Sequence, residues 1–320
     1  MTQHPPSIRR VGSCHRQRPV ALHGFVRTLV GAVAALGLIA SAHAAVNINQ
    51  QGLTGAWANP ATSGQGMVIE LFPDLLSVGN GYIFGSWYTF DATAGGADHG
   101  RWYTYQAEVL EGSSQADVII YRSTGGSFAT LGGTTTTAVG TGTIAFDSCT
   151  SGTFSYVFDD GRRGTIPLGR LMMNAACESA VDPPPSINGD FGLSGTWADM
   201  STSAQGMVIE VNPRSANVFL GWYTYVAGGP RDASGQRWFT AQHPYTVGDR
   251  SIVLDIYQTT GGVFDQNAST QTVPVGSANL TYTSCTSADF DYTFTGGDLE
   301  GRSGTLHLSR VARAPTDCAF

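Results

Sequence analysis

The chain has 320 residues and a formal charge of −7, with 24 acidic side chains, 17 arginines and no lysine. From residue 45 onward, 12 arginines face all 24 acids, a charge of −12, which argues against nucleic acid or an anionic membrane surface as partner. Abundant glycine, threonine and aromatic residues, with no long helical periodicity, exclude a helical fold and point to an all-β chain.

Residues 1–44 read as a secretory leader. Arg9, Arg10, Arg16, Arg18 and Arg27 give a basic start with no acid, residues 29–40 are apolar, and Ala42-His43-Ala44 is a small-x-small cleavage site. The apolar run is short for a membrane span. An uncleaved anchor is the alternative. The expected mature chain starts at Ala45, carries no transmembrane anchor, and is secreted or periplasmic.

Beyond the leader one stretch is written twice. Gly55-Ala56-Trp57 and Ser63-Gly64-Gln65-Gly66-Met67-Val68-Ile69-Glu70 recur as Gly195-Thr196-Trp197 and Ser203-Ala204-Gln205-Gly206-Met207-Val208-Ile209-Glu210. The spacing predicts repeat 1 over 45–178 and repeat 2 over 191–320. Between them, 179–190 forms a stiff linker around Pro183-Pro184-Pro185.

Within each repeat the Gly-x-Trp strand is followed by seven more. These are 67–72 with 207–212, 83–90 with 218–225, 101–104 with 237–240 and 117–122 with 253–258. They continue as 143–147 with 279–283, 154–158 with 290–294, and 165–171 with 305–311. Short connections make neighbours antiparallel. The expected fold is therefore two tandem eight-stranded meanders, each a β-barrel or barrel-like sheet whose closure removes the exposed edges. Substitutions between the copies show the inner face. Val118 and Ile120 stay apolar as Leu254 and Ile256, while Ile119 becomes Asp255. The same test turns Phe154, Tyr156 and Phe158 inward and Ser155 and Val157 outward. It also puts Arg170 and Arg310 in core phase, where each needs its charge and donors satisfied.

Cys149, Cys177, Cys285 and Cys318 remain after the leader. Export favours disulfides, and of three possible connectivities the duplication favours Cys149–Cys177 and Cys285–Cys318. A zinc site is the alternative, without a close C-x-x-C or histidine pair behind it.

Gly-x-Trp on the first strand with an arginine on the last resembles the signature of the calycin superfamily, which includes lipocalins and avidins. The resemblance implies that Arg170 packs across Trp57, and Arg310 across Trp197, as structural pairs closing one barrel end. The chain also resembles a secreted repeat of proteobacterial proteins marked by Gly-x-Trp and Trp-Tyr-Thr-Tyr. That resemblance implies no activity.

No catalytic motif, metal-ligand cluster or cofactor fingerprint appears. His99, His243 and His307 have no counterparts between the copies and read as surface residues. Glu70 and Glu210 recur. They read as outer-face or rim acids pairing with Arg101 or Arg237, and as the carboxylates of a hydrolase only if each has a second acid in reach. The strongest binding signal is aromatic: Trp87, Tyr88, Trp102 and Tyr103, repeated as Trp222, Tyr223, Trp238 and Phe239. Alternation sends neighbours to opposite faces, so one set is core and the other packs on a ligand or on the sister repeat. The leading expectation is a non-enzymatic binding protein for a small apolar or carbohydrate-like molecule, these eight residues making the contacts. The alternatives are a module that recognises an extracellular or envelope macromolecule, such as a protease inhibitor or adhesion protein, and a hydrolase using Glu70 and Glu210.

Overall fold

A computed structural model of the chain describes residues 46–179 and 189–320. The leader expected over 1–44 and most of the expected linker lie outside the described residues. The first repeat comprises β1 (Gly55–Ala58), β2 (Gly66–Ser77), β3 (Asn80–Phe90), β4 (Gly100–Leu110), β5 (Gln115–Thr124), β6 (Thr135–Phe146), β7 (Ser151–Phe158) and β8 (Arg163–Arg170). The second comprises β9 (Gly195–Asp199), β10 (Gly206–Asn212), β11 (Asn217–Tyr225), β12 (Gln236–Pro244), β13 (Ser251–Thr260), β14 (Gln271–Tyr282), β15 (Ser287–Phe294) and β16 (Ser303–Arg310). The fold is all-β. Each set of eight strands pairs in sequence order, antiparallel throughout, and closes on itself.

Closure runs through the tryptophan strand. Trp57 of β1 stands opposite Met67 of β2 on one side and Arg170 of β8 on the other. Trp197 likewise joins Met207 to Arg310. Alternation then sorts the side chains: Val118, Ile120, Phe154, Tyr156, Phe158, Ile166 and Leu168 are buried, while Ile119 and Val157 are about half exposed. Eight strands leave a lumen about wide enough for side chains to fill, and here aromatic rings fill it. Trp87 lies within 6 Å, centroid to centroid, of Tyr103, Phe154, Tyr156 and Phe158. Trp222 is placed the same way among Phe239, Phe290, Tyr292 and Phe294.

One end of each barrel is shut by a short 3₁₀ turn, Gln51–Leu53 or Gly189–Leu193. Trp57 Nε1 donates to the Leu53 carbonyl at 3.1 Å, and Trp197 Nε1 to Leu193 at 3.3 Å. The Arg170 guanidinium lies 5.5 Å from the Trp57 ring centroid and donates to the Gly52 and Thr54 carbonyls at 2.7 and 2.6 Å. Arg310 sits 5.4 Å over Trp197 with Gly192 and Ser194 as acceptors. This is an arrangement consistent with a calycin-like fold. Disulfides Cys149–Cys177 and Cys285–Cys318 tie the tail after the last strand of each barrel to an earlier turn of the same barrel.

The two barrels belong to one compact unit. They pack through the outer faces of their second to fourth strands, and that seam has its own apolar core of Val68, Tyr88, Phe90, Trp102, Val208, Tyr223, Tyr225 and Trp238. Its contacts come in symmetric pairs. Tyr88 and Phe90 pack on Trp238, while Tyr223 and Tyr225 pack on Trp102. Trp238 Nε1 donates to Thr89 O at 3.0 Å, and Trp102 Nε1 to Thr224 O at 2.9 Å.

Candidate functional site

Three features mark the contact between the two barrels. The first is an exchange of carboxylates. Glu70 leaves its own barrel to accept from the Thr196 amide and from Arg310 Nη2, the latter at 3.1 Å. Glu210 crosses the other way to the Ala56 amide at 2.8 Å and Arg170 Nη2 at 3.3 Å. These acids face outward from their barrels, and the face they leave is covered by the sister barrel. The arginines considered for them in the sequence are engaged elsewhere, Arg101 with Asp91 and Arg237 with Asp298. Asn212 gives Glu210 a further donor at 2.9 Å. The equivalent residue in the first repeat is Phe72, which gives Glu70 none. Burial pushes the Glu70 carboxyl up from 4.5 to about 7, against the pull of Arg310 and of the Thr196 side chain and amide.

The second feature is an exchange of rings. The Gly-Gly turn after β5 sends Phe128 into the open end of the second barrel, 5.5 Å from both Trp222 and Tyr292. The turn after β13 sends Phe264 into the first, 5.3 Å from Trp87 and 5.6 Å from Tyr156. Gly126 and Gly262 lack a Cβ because Tyr225 and Phe90 of the other barrel lie against them. Gln65 and Gln205 fasten these turns. Gln65 donates to the Val263 carbonyl at 3.0 Å, and Gln205 to the Ser127 carbonyl at 3.0 Å. Each lumen is thus plugged by the other repeat.

The third feature is a cleft of about 460 Å³ beside the seam. One wall comes from the first repeat, with Asn59, Ser63, Gly66, Val68, Tyr88 and Leu171. The other comes from the second, with Phe219, Trp238, Thr240, Gln242, Tyr257 and Thr272. Every residue lining it is uncharged, on a chain rich in acids. A smaller depression of about 290 Å³ is bordered by Glu70, Asp74, Arg313 and Asp317. Glu210 is wholly enclosed with Arg170, both side chains fully buried.

The eight aromatic residues expected at a ligand are distributed by alternation. Trp87, Tyr103, Trp222 and Phe239 lie in the lumens, whereas Tyr88, Trp102, Tyr223 and Trp238 lie in the seam. Of the eight, Tyr88 and Trp238 line the cleft. Sequence reasoning did not single out Gln65, Gln205, Phe128 and Phe264 as cross-repeat residues. The recurrence of Gly-Gly-x-Phe in two turns was the available signal, since an aromatic side chain at a turn needs something to cover it. His243 and His307 pair with Asp255 and Asp289 on the surface. Among the described residues no group of histidine, cysteine and acidic side chains could hold a metal ion, and no helix is long and apolar enough to cross a membrane.

No protein-family model, curated protein or solved structure matches this chain. The residues themselves therefore carry the functional reading. A barrel pair with buried aromatic clusters is compatible with a binding role, and two disulfides fit an oxidising compartment.

Proposed function

We propose that this is an exported, non-enzymatic binding protein, its leader removed near Ala44, that takes a small neutral carbohydrate-like molecule in the cleft between its two barrels. Trp238 and Tyr88 form the aromatic floor, and Gln242, Tyr257, Thr240 and Asn59 supply polar edges. The remaining aromatic candidates act through packing: Trp87, Tyr103, Trp222 and Phe239 set the barrel walls, and Trp102 and Tyr223 hold the seam. The observation that carries this reading is the uncharged lining of the cleft on an acidic chain. Rings with polar tips, flanked by amides and hydroxyls, suit a ligand with apolar faces and hydroxyl edges. The packed lumens argue against a carrier that stores its cargo inside the barrel.

The test is titration calorimetry of the mature, oxidised protein with cellohexaose, maltohexaose and chitohexaose, and with hexagalacturonate as the acidic control. At least one neutral saccharide binds, the acidic one does not, and Tyr257→Ala or Gln242→Ala weakens binding about tenfold, roughly 1.4 kcal/mol. Both substitutions lie on half-buried or exposed wall positions and leave the fold intact. No binding of any neutral probe, or affinities unchanged in both variants, refutes the assignment.

A further inference from the structure

The internal symmetry gives the seam two equivalent sides, and the cleft of about 460 Å³ lies on the side where Tyr88 meets Trp238. The two sides differ in two equivalent tyrosines. Tyr88 stands opposite Gly66 in its barrel, and Tyr223 opposite Gly206 in the other. Their rings go different ways. A methyl group built on Gly206 would come within 2.6 Å of Tyr223 Oη, so that ring lies back on its own barrel. One built on Gly66 meets first Trp57 O at 2.9 Å and Ala58 Cβ at 3.2 Å, with no Tyr88 atom among its nearest neighbours. Tyr88 has instead crossed the seam onto Gly221, where a methyl group would come within 2.6 Å of Tyr88 Oη.

Gly221 lies directly before Trp222, and the residue directly before Trp87 is Ser86. Ser86 is fully buried, its hydroxyl donating to the Val68 carbonyl at 3.2 Å. By the internal symmetry, a Tyr223 that crossed the seam would lie over Ser86 as Tyr88 lies over Gly221, and there it would meet a side chain. The backbone at Gly221 does not require glycine, because its φ lies outside the left-handed region. What requires glycine there is the ring above it. The crossed Tyr88 hydroxyl is buried beside the Ser86 side chain, whose hydrogen bond opposes the upward push of burial on its pKa.

We propose that Gly221 is the specificity-determining residue of the cleft: lacking a side chain, it lets Tyr88 cross the seam, and the volume Tyr88 vacates above Gly66 receives the ligand. This rests on the cleft being the binding site. Tyr88 in the crossed position forms a floor against which a flat neutral ring stacks, and in the folded-back position it lies over Gly66 inside the cleft, as Tyr223 lies over Gly206.

The decisive variant is Gly221→Ser in the full mature chain, which gives the second repeat the residue the first already tolerates. Its crystal structure is expected to show Tyr88 folded back over Gly66. Its affinity for whichever neutral hexasaccharide the wild type binds is expected to fall at least tenfold. Adding Tyr88→Ala to Gly221→Ser removes the obstructing ring and returns affinity to within a few-fold of Tyr88→Ala alone. Where serine impairs folding, Gly221→Ala tests the same contact with a smaller group. A Tyr88 ring still lying across the seam in the variant overturns the inference, as does an open cleft. The ring position judges this inference alone. A wild type that binds none of the probes, with the ring moving as described, refutes the binding assignment and with it the specificity role of Gly221, and leaves standing only its control of the Tyr88 ring.

Discussion

Gly55 and Gly195 each meet two demands. Their φ angles of 143° and 152° favour glycine. A Cβ at either would also come within 2.6–2.8 Å of the carboxyl carbon of Glu210 or Glu70 arriving from the other barrel. The Gly-x-Trp motif is therefore tied here to a glutamate some 15 residues downstream in the opposite repeat's own copy, a link visible once both copies are folded together. A carboxylate removed from water needs a partner charge and well-placed donors, and Glu70 lacks the donor that Asn212 gives Glu210. Its raised pKa gives a pH signature. Between about 4.5 and about 7 the folded chain holds more of the Glu70 proton than the unfolded chain does, so this group's contribution to stability declines as pH rises through that window. The full span is on the order of 3 kcal/mol. Thermal melts of wild type and Glu70→Gln from pH 4 to 8 should separate progressively between pH 4.5 and 7 and run parallel outside it. Curves parallel throughout would mean that Arg310 keeps Glu70 ionised across the range.

At the scale of elements, strand order, inner and outer faces and antiparallel pairing were legible in the sequence. Comparison of the two copies separates conserved apolar phase from drifting phase, as Ile120/Ile256 against Ile119/Asp255 shows. The cleft and the exchanged turns were not legible, because periodicity reports which face of a strand is covered and is silent on what covers it. Tyr88, Trp102, Tyr223 and Trp238 read the same whether a ligand or a sister barrel lies above them. The Phe128 turn makes this separation measurable. Phe128→Ala should cost about 3–4 kcal/mol, as for a buried phenylalanine elsewhere. Amide exchange should rise chiefly in β11 and β15 of the second barrel, where Trp222, Tyr292 and Phe294 lose their neighbour. Faster exchange confined to β5 and β6 would contradict the plug.

At the scale of the whole molecule, each barrel's core includes a ring from the other, and each closing arginine includes the other's glutamate among its partners. Cooperativity should follow. Calorimetry of the oxidised protein is expected to give one unfolding transition whose calorimetric and van't Hoff enthalpies agree for the combined mass of both repeats. Two resolved transitions would mean that the barrels are independent neighbours. A last consequence follows from Ser86 and Gly221. Two identical barrels encoded separately and meeting about a two-fold axis would carry the same residue at both positions, because an isologous contact repeats every choice. Serine at both would keep both tyrosines back over their own barrels, and glycine at both would send two tyrosines toward the same axis. Joining the copies in one polypeptide lets a single substitution act on one side only. Covalent fusion thus frees the pair from the rule that symmetric partners must be alike, and one asymmetric pocket per molecule becomes attainable.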